Sequence, residues 1–305
     1  MVTVFLGTSE FAAAVLDRLA REPETRPALV LTRPDRPAGR GRRLQAPPVA
    51  VRAGELGIAL EQPENVNEDA ARSLISAAGG GHPVTLLVCA FGALIREPLL
   101  SEHEILNVHP SLLPRWRGAA PVERAIMAGD QETGVSIMRL TAGLDSGPVC
   151  LRASEPIGAE DTYGSLAGRL QVIGGELLVR ALLQAPPFRE QDEDGVSYAE
   201  KIGPEDRLLD PARGAAELER AVRALTPHIG ARIELADGTL MGVRAARVVP
   251  GGPAGDGGAP LRESDGRLLL DCSPGVLELL TVQPPGARAM DAAAYLRGRG
   301  LPGRA

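Results

Sequence analysis

The sequence predicts an α/β fold: a Rossmann-like, doubly wound and mostly parallel sheet in an N-terminal domain, followed by a smaller β-barrel. Three observations predict it. Near-continuous apolar runs of strand length alternate with segments of helical periodicity through the first 184 residues. The texture then breaks at Pro186, Pro187 and an acidic stretch. Beyond the break, short β-like runs crowd between turn signals. Strands that are apolar along their whole length, separated by helices, are the pattern of a parallel sheet covered on both faces.

The elements follow in order. Residues 2–6 (VTVFL) run into Gly7, Thr8 and Ser9, after which Phe11, Val15, Leu16 and Leu19 recur at helical spacing, so the chain opens as strand, tight turn and helix. Further strands are expected at 28–32, 84–90, 105–109 and 135–140, with helices around 67–78, 120–128 and 162–184. In such a sheet the site forms beyond the carboxyl ends of the strands, where Asn107 and His109 would lie. Pro186-Pro187 and the acidic run 190–194 mark a linker, which divides the chain into a domain at 1–187, a linker at 188–205 and a second domain at 206–305. In the second domain an amphipathic helix at 215–225 precedes strands at 231–235, 240–249, 267–270 and 276–282, punctuated by Asp237-Gly238 and a loop at 250–260.

Composition narrows the class. The chain has 305 residues, 44% of them hydrophobic, enough for two cores. Its longest apolar stretches, such as 84–93, fall well short of the roughly 20 residues that a membrane span needs. The N-terminus opens directly into a strand-like run without an export signal, so a soluble cytoplasmic protein with no membrane partner is expected. Cys89, Cys150 and Cys272 lie 61 and 122 residues apart. Such spacing suits neither zinc nor a disulfide framework, and reduced, mostly buried thiols are expected, with no metal.

The net charge of −6 argues against a protein that binds nucleic acid over its whole surface. Its distribution says more. Between Arg33 and Arg52 six arginines face the single acid Asp35, a net +5 that leaves the rest of the chain at −11. Lys201 is the only lysine, so arginine identity means little while clustering keeps its meaning. From Asp206 onward 13 basic residues balance 12 acidic ones, which gives no electrostatic signal.

The chemistry concentrates in LNVHPSLLPRWRGAAP (106–121) and in Leu144-Asp145-Ser146-Gly147. Asn107 and His109 are two apart on a strand end, so their side chains point to the same side. A carboxylate arriving on a later loop, as Asp145 could, would hold the imidazole and stabilise its cation. An amide donor, an imidazole and a carboxylate suit attack of an amine on a carbonyl, in which one group stabilises an oxyanion and another moves protons. Taken singly each has an ordinary reading: Asn or Asp as a cap, His as a structural hydrogen-bonder, Pro114 and Gly118 as loop markers. The other histidines, His82, His103 and His228, are dispersed and read as structural or exposed.

The run NVHxSLLPxxxG followed by LDxG resembles the signature of the folate-dependent formyltransferases. Residues 115–121 (RWRGAAP) point toward the methionyl-tRNA branch, as do 7–11 (GTSEF), similar to that branch's GTPxF turn, 33–41 (RPDRPAGRG), similar to its basic loop, and 198–202 (YAEKI). The resemblance implies that Asn107 stabilises the oxyanion, that His109 takes the proton from the methionine amine, and that Asp145 orients His109 and an ordered water. It implies a folate pocket shaped by Ser111, Leu112, Leu113, Pro114 and Gly118, with Phe91, Gly92, Gly143 and Leu144 at the pterin.

The basic loop has two readings: a solvated Arg/Gly/Pro surface turn without a role, or an insertion in which Arg36, Arg40, Arg42 and Arg43 would reach the acceptor stem of initiator Met-tRNA, contacting phosphates and prying at an easily opened first pair. The last hundred residues would form an OB-like, tRNA-binding barrel. The implied co-substrate is 10-formyltetrahydrofolate, without a metal; the partners are initiator Met-tRNA and folate, and the expected state is a monomer. Three departures stand out: Ser9 for a usual proline, Phe91 for a common tyrosine, and 226–230 (TPHIG) for a motif that carries an aromatic residue.

Other readings stay open. A sugar-nucleotide N-formyltransferase would use the same three residues. A glycinamide-ribonucleotide enzyme would leave the arginine loop and the last hundred residues without a use. A nucleotide-dependent oxidoreductase lacks its glycine fingerprint here, because Gly7 is followed by Thr8, Ser9 and Glu10, and an acid so near the turn would repel a pyrophosphate. A non-catalytic tRNA-binding protein of the same fold is the remaining alternative.

Overall fold

The computed structural model describes residues 1–38, 43–251 and 260–301. Strand β1 (Val2–Gly7) leads through a tight turn into helix α1 (Glu10–Leu19). Then come β2 (Leu29–Leu31), the hairpin strands β3 (Arg36–Ala38) and β4 (Arg43–Gln45), α2 (Pro48–Leu56), β5 (Ala59–Glu61), α3 (Asp69–Gly79) and β6 (Val84–Cys89). They are followed by α4 (Leu99–Glu102), β7 (Glu104–His109), β8 (Arg117–Gly118), α5 (Pro121–Ala128), β9 (Glu132–Arg139), β10 (Val149–Pro156), α6 (Tyr163–Gln184) and β11 (Tyr198–Ala199). The chain divides into two compact units. One comprises Met1–Gly118, Thr133–Pro156 and Ala167–Tyr198; the other comprises Ala119–Glu132, Ile157–Leu166 and Ala199–Ala305.

In the first unit seven strands run in the order β10-β9-β7-β6-β1-β2-β5. The five from β7 to β5 are parallel, and β9 is antiparallel to β7. The chain starts at the centre, winds outward through β2 and β5, and crosses to β6 and β7. The order therefore reverses between β1 and β6, the place where such sheets form sites. All six residues of β6 are buried, as are Val4, Phe5 and Leu6 of β1, which is why these strands carry no polar alternation. One core gathers Val4, Leu6, Leu31, Ile75, Leu86, Leu99 and Ile105. Gly7 allows the close turn out of β1, since a Cβ there would lie 2.6 Å from the Phe5 ring and 2.8 Å from the Ala12 Cβ. Ser9, in the place of a proline, caps α1 by accepting the Ala12 N–H at 3.3 Å.

The second unit adds α7 (Ala215–Leu225), β12 (Ala231–Glu234), β13 (Leu240–Val248), β14 (Leu261–Ser264), β15 (Arg267–Asp271), β16 (Val276–Gln283), β17 (Met290–Asp291) and α8 (Ala292–Arg299). Its sheet is antiparallel in the order β12-β13-β16-β15-β14, with β17 on β16. Leu218, Val222 and Leu225 of α7 pack with Met241, Val243, Leu268, Leu270, Leu277 and Leu279 in one core. Among the described residues these ladders form an open path with β12 and β14 at its ends. Most of the loop expected at 250–260 lies outside the described residues. The helix α7 has the predicted bounds, and four predicted strands coincide with β12, β13, β15 and β16 to within two residues.

Cys89 and Cys272 are buried and Cys150 partly so, all as free thiols. Burial raises the Cys89 thiol far above its ordinary value and the Cys272 thiol to about 11. No helix among the described residues is long and apolar enough to cross a membrane.

Candidate active site

Strand β7 lies between β6 and β9, pairing Asn107 with Val88 and with Met138, and His109 with Ser136. Its carboxyl end delivers two nearly buried polar side chains: Asn107 is 8% exposed and His109 4%. The Asn107 amide has no hydrogen-bond partner among the described residues. The His109 ring is held at one nitrogen and faced by a carboxylate at the other. Nε2 lies 2.8 Å from the Trp116 carbonyl oxygen. A carbonyl only accepts, so Nε2 carries the hydrogen in the neutral ring and Nδ1 keeps the lone pair. Nδ1 lies 3.7 Å from Oδ2 of Asp145.

The carboxylate reaches His109 because its turn is unusual. Asp145 has φ +44, in the left-handed region. At Gly147 a Cβ would come within 2.0 Å of the Arg139 carbonyl oxygen, so only glycine fits that approach. Oδ2 of Asp145 also accepts the Gly118 N–H at 2.8 Å. Gly118, with φ +119, and Trp116, with φ +62, bend the intervening loop so that the carbonyl of one and the N–H of the other face the same imidazole and carboxylate pair.

The loop after β7 is built on itself. The Ser111 hydroxyl, fully buried, donates to the Arg115 carbonyl at 2.6 Å. The Ser136 hydroxyl of β9 donates to the Ser111 carbonyl at 2.7 Å and accepts the Leu113 N–H at 3.2 Å. Leu113 packs with Met138 and Val149, the Leu113-Pro114 peptide is cis, and Leu112 lies over Gly134. The Phe91 ring is buried in the sheet core, while its carbonyl accepts the Thr8 hydroxyl at 2.8 Å. Gly92, Gly143 and Leu144 are exposed, Leu144 at 56%.

The structure thus brings Asn107, His109, Gly118 and Asp145 to one place. It puts Ser111, Leu113 and the Phe91 ring inside, as supports whose side chains are already committed. Sequence reasoning assigned no role to the Trp116 carbonyl, the Ser136 hydroxyl or Gln191. The first is a backbone group, invisible to any motif. The other two act through backbone carbonyls and N–H groups distant in sequence.

The basic segment separates into parts. Arg33 donates to the Glu64 carbonyl at 3.0 Å, and Gln62 donates to Oδ1 of Asp35 at 2.8 Å. Arg52 is paired with Asp17 and, at 2.7 Å, with Glu55; its guanidinium holds the Asp17 carboxyl below its ordinary value. Two of the six arginines are therefore tied into the protein body. Arg36 and Arg43 are exposed on the β3–β4 hairpin, without a partner among the described residues. Arg36 faces Gln45 and Arg43 faces Ala38 across the ladder, so both arginines project from the same side of the hairpin. Arg40 and Arg42 lie outside the described residues.

Comparison with known proteins gives the class to which this sheet and second unit belong. Residues 1–182 match the model of the formyl transferase family, and residues 201–300 match the model of the formyl transferase C-terminal domain. The chain is 43% identical over 304 residues to a methionyl-tRNA formyltransferase of Halorhodospira halophila, an alignment covering 98% of this chain and 96% of the relative. The chain belongs to the formyl transferase family, on its methionyl-tRNA branch.

Solved structures agree in fold. An N-formyltransferase from Helicobacter canadensis, in complex with folinic acid and dTDP-3-aminofucose, matches at TM-score 0.65 and 14% identity over 92% of this chain and 99% of that one. A HypX variant from Aquifex aeolicus matches at TM-score 0.65 and 15% identity over 98% of this chain; the present chain spans 47% of HypX.

Proposed function

We propose that this protein transfers the formyl group of 10-formyltetrahydrofolate to the amino group of methionine on initiator Met-tRNA. The observation that carries the reading is the grouping of His109, Asp145 and the unengaged Asn107 amide at the carboxyl end of β7. The Halorhodospira relative is named a methionyl-tRNA formyltransferase.

A folate fits the residues present. The Asn107 amide is a nearly buried polar group without a partner among the described residues. Around Gly92, and at Gly143 and Leu144, the exposed backbone offers N–H and C=O groups of the kind that a pterin edge needs, next to an exposed apolar side chain. The bound co-substrate would supply an electrophilic formyl carbon.

The chain's own groups would do the rest. Asn107 donates an N–H to the formyl oxygen as negative charge grows there. Nδ1 of His109 takes a proton from the attacking amine while Nε2–H stays on the Trp116 carbonyl. The Asp145 carboxylate stabilises the imidazolium by proximity. As the new C–N bond forms and the bond from the formyl carbon to the folate nitrogen breaks, that proton passes to the departing nitrogen, which restores neutral His109. Arg36, Arg40, Arg42 and Arg43 would meet acceptor-stem phosphates. Residues 1–187 would form the catalytic domain, joined by 188–205 to a tRNA-binding domain at 206–305.

The test offers radiolabelled formyl-folate with either initiator Met-tRNA or dTDP-3-aminofucose. Label in N-formylmethionyl-tRNA and none in the sugar is expected. Label in the sugar alone would move the protein to the sugar branch.

A further inference from the structure

Gln191 lies in the stretch 188–205 that reads as a linker. Its neighbours 189–190 and 192–195 are exposed, while Gln191 turns inward and is partly buried. Its side-chain amide makes four hydrogen bonds. Nε2 donates to the carbonyl of Asp145 at 2.8 Å and to that of Gly147 at 2.7 Å. Oε1 accepts Nε of Arg117 at 3.0 Å and Nη2 of Arg117 at 2.8 Å. Both N–H groups and both lone pairs are in use.

The two ends of this bridge belong to the two segments that position one carboxylate. On one side is the left-handed turn of Asp145 itself. On the other is Arg117, next to Gly118, whose N–H holds Oδ2 of Asp145. The same strip continues to Ser197, whose hydroxyl accepts the Trp116 N–H at 2.9 Å and whose carbonyl accepts the Arg117 N–H at 2.9 Å. The linker strip is thus laced along the loop that carries the Trp116 carbonyl and the Gly118 N–H.

We propose that Gln191 is a positioning residue for formyl transfer, holding the Asp145 turn so that its carboxylate stands against His109. This rests on the reading that His109 and Asp145 serve the reaction. The position needs an amide of glutamine length. A glutamate keeps the Arg117 pairing but turns oxygens toward two carbonyls. A methionine keeps the stem and loses all four bonds.

The experiment measures steady-state formyl transfer to initiator Met-tRNA by Gln191→Met and Gln191→Glu, each alone and combined with Asp145→Asn. A misplaced carboxylate should lower kcat on the order of 10- to 100-fold, with KM for tRNA and folate little changed. In the Asp145→Asn background the same substitution should cost little more, because residues that act through one group are not additive.

Turnover of Gln191→Met within about twofold of the parent would overturn the proposal. So would a full multiplicative loss in the double variant, since Gln191 would then act apart from Asp145. If Asp145→Asn alone keeps parental turnover, the reading of the site fails and the proposal fails with it; if Asp145→Asn is inactive while the Gln191 variants are normal, only the proposal fails. Should Gln191→Met not fold, Gln191→Glu is judged by the same division between kcat and KM.

Discussion

Oδ2 of Asp145 stands 3.7 Å from Nδ1 of His109 while accepting the Gly118 N–H at 2.8 Å, so one oxygen serves both the loop and the imidazole. Asp145→Asn keeps the shape and an oxygen for Gly118 but removes the charge beside the ring. Turnover should fall by about 10²- to 10⁴-fold, the usual range for general acid–base catalysis. Folate affinity, read by equilibrium dialysis, should hardly change. A variant that turns over within a few-fold of the parent would remove Asp145 from the reaction.

Gly147 makes the Asp145 turn possible. A Cβ there meets the Arg139 carbonyl oxygen at 2.0 Å and the Thr141 methyl at 2.9 Å, and the first is backbone that cannot swing away. Gly147→Ala should destabilise the protein by about 1 to 3 kcal/mol. Gly54→Ala in α2, where nothing lies within 4 Å, should instead stabilise by about 0.5 to 1 kcal/mol. Thermal melts of the two variants, moving in opposite directions, check the contrast.

Arg124 of α5 clasps Asp206 through hydrogen bonds of 2.6 and 2.9 Å, and the Gly203 N–H adds a third at 2.8 Å. Burial raises the Asp206 carboxyl, but the Arg124 and Gly203 bonds outweigh it and leave the group below its ordinary value. Its stabilisation is therefore present above the unfolded value of about 3.9 and is lost as pH falls through the lower, folded value. Chemical unfolding from about pH 6 down to about pH 2 should show the parent losing stability more steeply than Asp206→Asn over the acid end of that range. Parallel curves would contradict the assignment.

Much of the fold was legible, and the exceptions have physical causes. β1 and β6 are apolar on both faces, and α7 has a clean amphipathic stripe, so periodicity alone finds them. α2 begins at Pro48, where no helix was expected, although proline suits the first turn of a helix. β5 is three residues long and mostly exposed, while β10 is half-exposed along its length.

At the site, Asn107 and His109 were visible because a strand places residues two apart on one face, and Asp145 because it follows in a short motif. Gln191 stood hidden in an acidic run, its partners 74 residues and 44 to 46 residues away. Arg33 and Arg52 looked like part of a free basic loop until their partners, Glu64, Asp17 and Glu55, were placed beside them.

That separation of the arginines makes a prediction of its own. Replacing Arg36 and Arg43 by alanine should weaken tRNA binding and flatten the slope of log affinity against log salt by about 0.9 for each phosphate no longer neutralised. Arg52→Ala, which breaks the pairing with Asp17 and Glu55, should leave the slope unchanged. Filter binding at several salt concentrations separates them; equal slopes for parent and Arg36→Ala/Arg43→Ala would return the hairpin to ordinary surface.

The proposed reaction gives the Asn107 amide, nearly buried and unengaged at the end of β7, the role of donor to the formyl oxygen. A donor that acts on charge developing at the formyl oxygen works mainly in the transition state and is worth about 2.7 to 4 kcal/mol in comparable sites. Steady-state formyl transfer by Asn107→Ala should therefore show kcat reduced about 10²- to 10³-fold with KM for Met-tRNA and folate almost unmoved. A raised KM with parental kcat would show that Asn107 only holds substrate, and would contradict a site built to stabilise the reacting carbonyl.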